Sequence, residues 1–258
     1  MRSIWTGAIG FGLVTIPVKL YSATQDSNID LDMLDKNNQA HIKYKRVNEE
    51  TGKEVQWGDI VKGYNYEGKY VLLDDKDFEN ASPEKSKYVD IFQFVKEEEI
   101  DSIYFETPYF LEPDKNGERP YALLREALAK AKMAGVGSFV LRNKEHLAII
   151  RPYNEALLLN MIRFQEEIRD YSELKLPKEK TPKPAELKMA MELINQMSEP
   201  FDISKYKDTY NDKLMDVIKA KAKGVKQKET KMKVVHKETN DIMAQLKASL
   251  ETRKKKVG

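Results

Sequence analysis

The sequence predicts an α+β protein that is mainly β: a closed, barrel-like sheet of seven or eight short strands with one intercalated helix, then a helical arm and a basic tail. Three observations predict it. Between Ile4 and Phe164, runs with apolar residues at alternate positions recur between turn-forming residues, the pattern of half-buried strands. One stretch in that span, from Pro120, carries its apolar residues at helical spacing instead. Beyond Phe164 the alternation stops, and a lysine- and proline-rich linker leads into amphipathic helices.

The first strand region is IWTGAIGFGLVTIPVKLY (4–21), with Ile9, Phe11 and Leu13 alternating, then Val14, Ile16, Val18 and Leu20 one place out of step. A one-residue slip moves the buried set to the other face, so the pattern predicts one long strand bulged or bent near Leu13–Val14. Gly7, Gly10 and Gly12 precede the slip, and Pro17, lacking a donor, should turn its nitrogen to a sheet edge.

HIKYKRV (41–47) puts His41, Lys43 and Lys45 on one face and Ile42, Tyr44 and Arg46 on the other. With the turn EETG and KEVQW (53–57) it predicts a β-hairpin with Gly52 at positive φ. Its basic face is either solvated or a surface for an anion. Tyr64 to Leu73 predicts a strand pair around Glu67–Gly68, and the acidic DDKDFENASPEKS a loop or short helix. YVDIFQFV (88–95) is a strand, and SIYFETPYFLEP (102–113) gives short strands broken at Pro108 and Pro113.

Pro120 is placed at the first helical position, Leu123, Leu124, Ala127, Leu128 and Ala131 follow, and Gly135 is the expected C-cap. A hairpin around NKE (143–145) and a strand over 156–164 complete the barrel. In the arm, a helix opening at Pro184 presents Leu187, Met191, Ile194 and Met197. A second from about Ser204 presents Tyr206, Tyr210, Leu214, Val217 and Ile218. Lys219 to Lys233 is too charged to fold alone. Behind a Thr239–Asn240 cap, Ile242, Met243, Leu246 and Leu250 share a face of a short helix.

Composition narrows the function. The chain has 258 residues, no cysteine and a formal net charge of +2, which leaves no disulfide, thiolate nucleophile or cysteine zinc site. No run of eighteen apolar residues and no leader pattern occurs, so a soluble, cytoplasmic protein is expected. The charge is lopsided: from Lys219 onward there are twelve Lys and one Arg against three Glu and one Asp, a net +9, which leaves −7 on the rest. A basic tail on an acidic body points to an anionic partner for the tail.

The sequence carries no recognisable catalytic motif. The glycines at 7, 10 and 12 are in the wrong order for a dinucleotide loop, and Gly135–Val136–Gly137 reads as a helix cap. His41, His146 and His236 lie far apart in different elements, without zinc spacing. Asp75/Asp77 and Glu97–Glu99 read as solvated acidic faces. No cofactor and no enzymatic activity are expected. What remains is Lys and Arg spread over β-structure with no base-reading helix, a surface that contacts phosphates and tolerates any sequence.

IWTGAIGFGLVTIPVKLYSAT, DIVKGYNYEGKYVLL (59–73), EIDSIYFETPYFLEPDKNG (99–117) with PYALLREAL (120–128), FVLRNKEHLAIIRP (139–152) and FDISKYKDTYNDKL (201–214) closely resemble the prokaryotic Ku proteins of non-homologous end joining, in the same order. The resemblance implies a homodimer whose barrels and bridge hairpins close a ring around a duplex end. It implies domains at 1–170 (a barrel core with a bridge at about 22–62), 171–224 (linker and dimerisation arm) and 225–258 (a tail that recruits the end-joining ligase). Lys43, Lys45, Arg46, Lys53 and Lys62, with Lys19 beside them, are the expected phosphate contacts. Ile242, Met243, Leu246 and Leu250 are the expected ligase-binding face. Many relatives carry cysteines in the bridge; here Asn48 and Thr51 stand where such a pair is sought, so turn chemistry alone must hold its tip. Two other readings compete: a general duplex-coating protein acting through its tail, and a cation-dependent nuclease built on Asp74, Asp75 and Asp77.

Overall fold

The out-of-step alternation at Leu13–Val14 is a hairpin and not a bulged strand. In the computed structural model, which describes residues 1–81, 87–142, 144–177, 181–225 and 242–257, β1 (Trp5–Phe11) turns through Gly12–Leu13 into β2 (Val14–Ser22). Their register pairs Phe11 with Val14, Ile9 with Ile16 and Trp5 with Leu20. A two-residue turn pairs odd positions with even ones, so one continuous buried face reads along the chain as a slip of one. Gly12, at φ +57, takes the first turn position, as a type II′ turn requires. Pro17 turns its carbonyl to the Asp114 amide (3.0 Å), at the side where the next strand stops.

The remaining strands are β3 (Lys62–Tyr66), β4 (Lys69–Leu73), β5 (Tyr88–Lys96), β6 (Phe105–Pro113), β7 (Met133–Leu141), β8 (Lys144–Tyr153) and β9 (Ala156–Ile162). Seven close a barrel in the order β1-β2-β6-β9-β8-β7-β5. Every neighbouring pair is antiparallel except the closing seam, where Ala8–Phe11 lie parallel to Tyr88–Ile91. β6 is one strand, with a register shift between Phe105 and Pro108 where a break was expected. The proline removes one ladder donor without ending the strand.

Ile9, Ile16, Val18, Leu20, Val89 and Phe139 fill the barrel with Ile150, Leu157 and Leu159. The helix α2 (Glu118–Ala131) adds Tyr121, Leu124 and Leu128 to the same core. α2 differs from the sequence expectation at both ends. Gly117 is its N-cap, which puts Pro120 two residues further in, where the helix still has no amide partner to lose. Its C-cap is Lys132 in the left-handed conformation (φ 54), not Gly135. Gly135 and Gly137 lie inside β7, against β5. A Cβ on Gly137 would sit 2.5 Å from the Asp90 carbonyl oxygen, and one on Gly135 3.1 Å from Ile91. These glycines permit close approach of strands and end nothing.

The chain divides into two units. One comprises Met1–Asp26 and Asp30–Asp170, the other Ser27–Ile29 and Tyr171–Gly258. In the second, α3 (Pro184–Met197) has Pro184 at its start as expected. α4 runs over Thr209–Ala222, later than the Ser204 start expected, because a 3₁₀ turn occupies Ile203–Lys205. Lys219 and Lys221 thus belong to the last turn of α4, where cations favour the helix dipole. Along α3 the apolar residues fall on two faces: Met189, Ala190 and Leu193 are half-buried, while Leu187, Met191, Ile194 and Met197 are exposed. α5 (Ile242–Val257) packs along α3, with Met243, Leu246 and Leu250 half-buried and Ile242 exposed. The Thr239–Asn240 cap lies outside the described residues. None of the described helices is long and apolar enough to cross a membrane.

Candidate nucleic-acid interface

Residues 23–61 leave the barrel after β2 and are exposed over nearly their whole length. The expected hairpin turn forms, but its ladder is short. Val47 bridges Glu54, the Val55 amide bonds the Arg46 carbonyl (2.8 Å), and Leu34 bridges His41. Gly52 takes φ +66. Asn48 Oδ1 accepts the amides of Glu50 (3.0 Å) and Thr51 (2.9 Å), and Thr51 Oγ1 that of Lys53 (3.4 Å). Side-chain turn chemistry therefore holds the tip of this cysteine-free loop.

The six candidate cations are not equivalent. Lys19, on β2, stands 3.8 Å from Asp114 and is paired across the ladder with Glu112, so its charge is partly met within the barrel wall. Lys45 is ion-paired to Glu54 at 2.7 Å. His41, expected on the same face, lies 3.9 Å from Asp32. Lys43, Arg46, Lys53 and Lys62 make no ion pair with a carboxylate among the described residues. Two of these four rest on rings. The Arg46 guanidinium lies 4.3 Å over Trp57, and the Lys62 ammonium 4.5 Å over Phe78. Stacking of this kind contributes about 0.5–1 kcal/mol at an exposed site. It holds the guanidinium plane while leaving its N–H edge free for a phosphate.

The exposure of the aromatic residues around these cations emerges only from the structure. Tyr44 is 79% and Trp57 72% exposed. The β3–β4 hairpin turns through Glu67 and Gly68, both at positive φ as a type I′ turn demands. Register places Lys62, Tyr64 and Tyr66 on one face with Lys69, Val71 and Leu73 opposite them. A two-stranded sheet by itself is marginal in water, and here only Leu73 is even half-buried. Two lysines and two tyrosines, Lys62, Lys69, Tyr64 and Tyr66, thus share a face with little buried beneath it.

The acidic runs have structural roles. Asp74 and Asp77 cap α1 (Asp75–Ala81) reciprocally, each backbone N–H donating to the other's carboxylate at 2.9 and 3.0 Å. Glu97 pairs with Arg151 at 2.8 Å, whose Nε donates to the buried Asn160. Among the described residues no three His, Asp or Glu side chains gather as a metal site would need. His146 packs 5.9 Å from the Phe139 ring, and burial with the nearby Lys144 holds its pKa below the ordinary histidine value.

The closed seven-stranded barrel agrees with the family comparison. The model of the Ku70/Ku80 beta-barrel domain matches residues 10–189. The chain belongs to the Ku family. The non-homologous end joining protein Ku of Coxiella burnetii is 42% identical over 86% of this chain and 83% of that one. That of Cupriavidus necator is 46% identical over 85% and 67%. That of Archaeoglobus fulgidus is 38% identical over 97% of this chain and 99% of its own, so the likeness extends into the Ku tail. A solved structure, the SPOC domain of human PHD-finger protein 3, is similar at TM-score 0.31 and 14% identity over 62% of this chain and 95% of that one, too loosely to bear on function.

Proposed function

We propose that this chain binds the ends of double-stranded DNA as a homodimeric ring without reading sequence, and recruits the end-joining ligase through its tail. The family supports an end-binding role in non-homologous end joining, as a scaffold and not an enzyme. The observation that carries the ring reading is the extended segment. It offers Lys43, Arg46 and Lys53, with Lys62 just past its end, none of them ion-paired to a carboxylate among the described residues, beside exposed aromatic rings, and has no core of its own. Such a segment needs something to cover it, and phosphates with a second copy meet both needs. The cations lie on extended backbone, which suits contact with the sugar-phosphate backbone more than with base edges.

One binding assay with three substrates tests this: linear duplex, the same duplex with bulky adducts on both ends, and a relaxed circle. The ring captures only the first. Equal capture of the circle would favour a duplex-coating protein, and loss of all binding on deletion of residues 225–258 would place that activity in the tail. For ligase recruitment, Leu246→Asp and Ile242→Asp should each lower ligation stimulation while end capture stays intact. Unchanged stimulation in both variants would remove the ligase role from α5.

A further inference from the structure

The block FDISKYKDTYNDKL (201–214) contains none of the residues proposed to touch DNA or ligase. Its aspartates at 202 and 208 are accounted for by capping. Asp202 accepts from the Ser204 hydroxyl (2.7 Å) and amide (3.0 Å), which holds its pKa below the ordinary carboxylate value. Asp208 accepts from the Tyr210 amide (2.8 Å) and starts α4. Asn211, in the first turn of α4, does something that capping does not require. Its Nδ2 donates to Asp208 Oδ2 and also to the carbonyl of Ser27, both at 2.8 Å.

Ser27–Ile29 belong to the C-terminal unit, although the residues on either side belong to the other. They are the link through which the chain passes from β2 into the segment proposed to line the DNA. Ile29 is half-buried in a run that is otherwise exposed from Thr24 to Leu34. On α4, Asn211, Leu214, Val217 and Ala220 are the half-buried positions and lie on one face. Asn211 Oδ1 is enclosed and has no hydrogen-bond donor among the described residues. The position therefore uses the donor half of the amide and leaves the acceptor half unmet, an arrangement that a helix surface alone would not favour.

We propose that Asn211 is a positioning residue that ties the root of the DNA-lining segment to α4, so that the C-terminal arm holds Ser27–Ile29 in place. Its consequence for DNA rests on the ring reading: a loosened root lets a loaded ring open. Asn211→Ala removes the donor. Asn211→Asp keeps the shape but turns a carboxylate toward the Ser27 carbonyl and the Asp208 carboxylate, and so acts more strongly.

Two measurements on the full-length protein decide it: amide hydrogen exchange over residues 24–33, and the release half-time from linear duplex whose ends are blocked after loading. Removing one hydrogen bond should raise exchange at Ser27–Ile29 about threefold to tenfold and shorten release by a similar factor. Asn211→Asp should exceed Asn211→Ala, and the thermal transition of the barrel should stay put. Unchanged exchange in Asn211→Asp overturns the tie. Faster exchange with unchanged release overturns its role on DNA. Wild-type protein leaving blocked duplex freely would sink the ring itself, and the tie would then be judged on exchange alone.

Discussion

Changing Lys43, Arg46 and Lys62 together to Glu will weaken capture of duplex ends by about a hundredfold at physiological salt, taking about 1 kcal/mol for each exposed charge-assisted contact. It will also flatten the dependence of log affinity on log salt by about 2.7, at about 0.9 for each phosphate no longer neutralised. These three are chosen because none has a carboxylate partner among the described residues, so their removal leaves no described counter-charge stranded. Lys45 is a poorer probe, since its replacement by Glu would also set two carboxylates against each other at Glu54. The loss should be the same for every duplex sequence, because the contacts are to phosphate. A loss confined to one sequence would mean base readout, and an unchanged salt slope would place the duplex elsewhere.

The largest effect on stability should come from one hydroxyl. Tyr121 is buried, and its OH donates to the Leu111 carbonyl and accepts from the Leu157 amide, both at 2.6 Å. Leu111 and Leu157 are the last cross-strand pair of β6 and β9, so the hydroxyl is inserted where the ladder ends. Burial, the dominant influence, raises its pKa above the ordinary tyrosine value, and the hydroxyl stays protonated at any working pH. Tyr121→Phe leaves a buried N–H and a buried C=O without partners at nearly constant volume. Each costs about 1–3 kcal/mol, so a net loss of about 2–4 kcal/mol and a fall in Tm of roughly 5–15 °C are expected. Denaturant unfolding measures it, with end binding by the folded fraction unchanged. A variant as stable as wild type would mean that β6 and β9 bond directly once the hydroxyl is gone.

Most barrel strands could be read from alternation, because each has one buried face and a period of two survives in the sequence. What could not be read was the pairing that gives the alternation its meaning. The Gly12–Leu13 turn and a bulge both shift the pattern by one, and only the register separates them. The end of α2 is not legible in the sequence, because glycine is the usual left-handed residue, whereas here Lys132 takes that conformation and the following glycines serve a strand contact. In the candidate site, two contacts were accessible in principle. With Val47 opposite Glu54, Lys45–Glu54 and Arg46–Trp57 are both diagonal neighbours across the hairpin. The Lys62–Phe78 contact was not, since it needs α1 to return over the hairpin. The tie from Asn211 to Ser27 spans 184 residues and leaves no local trace.

The parallel seam between Ala8–Phe11 and Tyr88–Ile91 has a consequence for how the protein is made. As the chain emerges from the ribosome, the first hairpin can form early, but the outer edge of β1 has no neighbour until about eighty more residues have been synthesised. During that interval a row of unsatisfied amides and carbonyls is open to stray strands. Closing so long a loop is entropically slow, so the seam should be the late step of folding, and the nascent chain should lean on chaperones most while residues 12–87 are in transit.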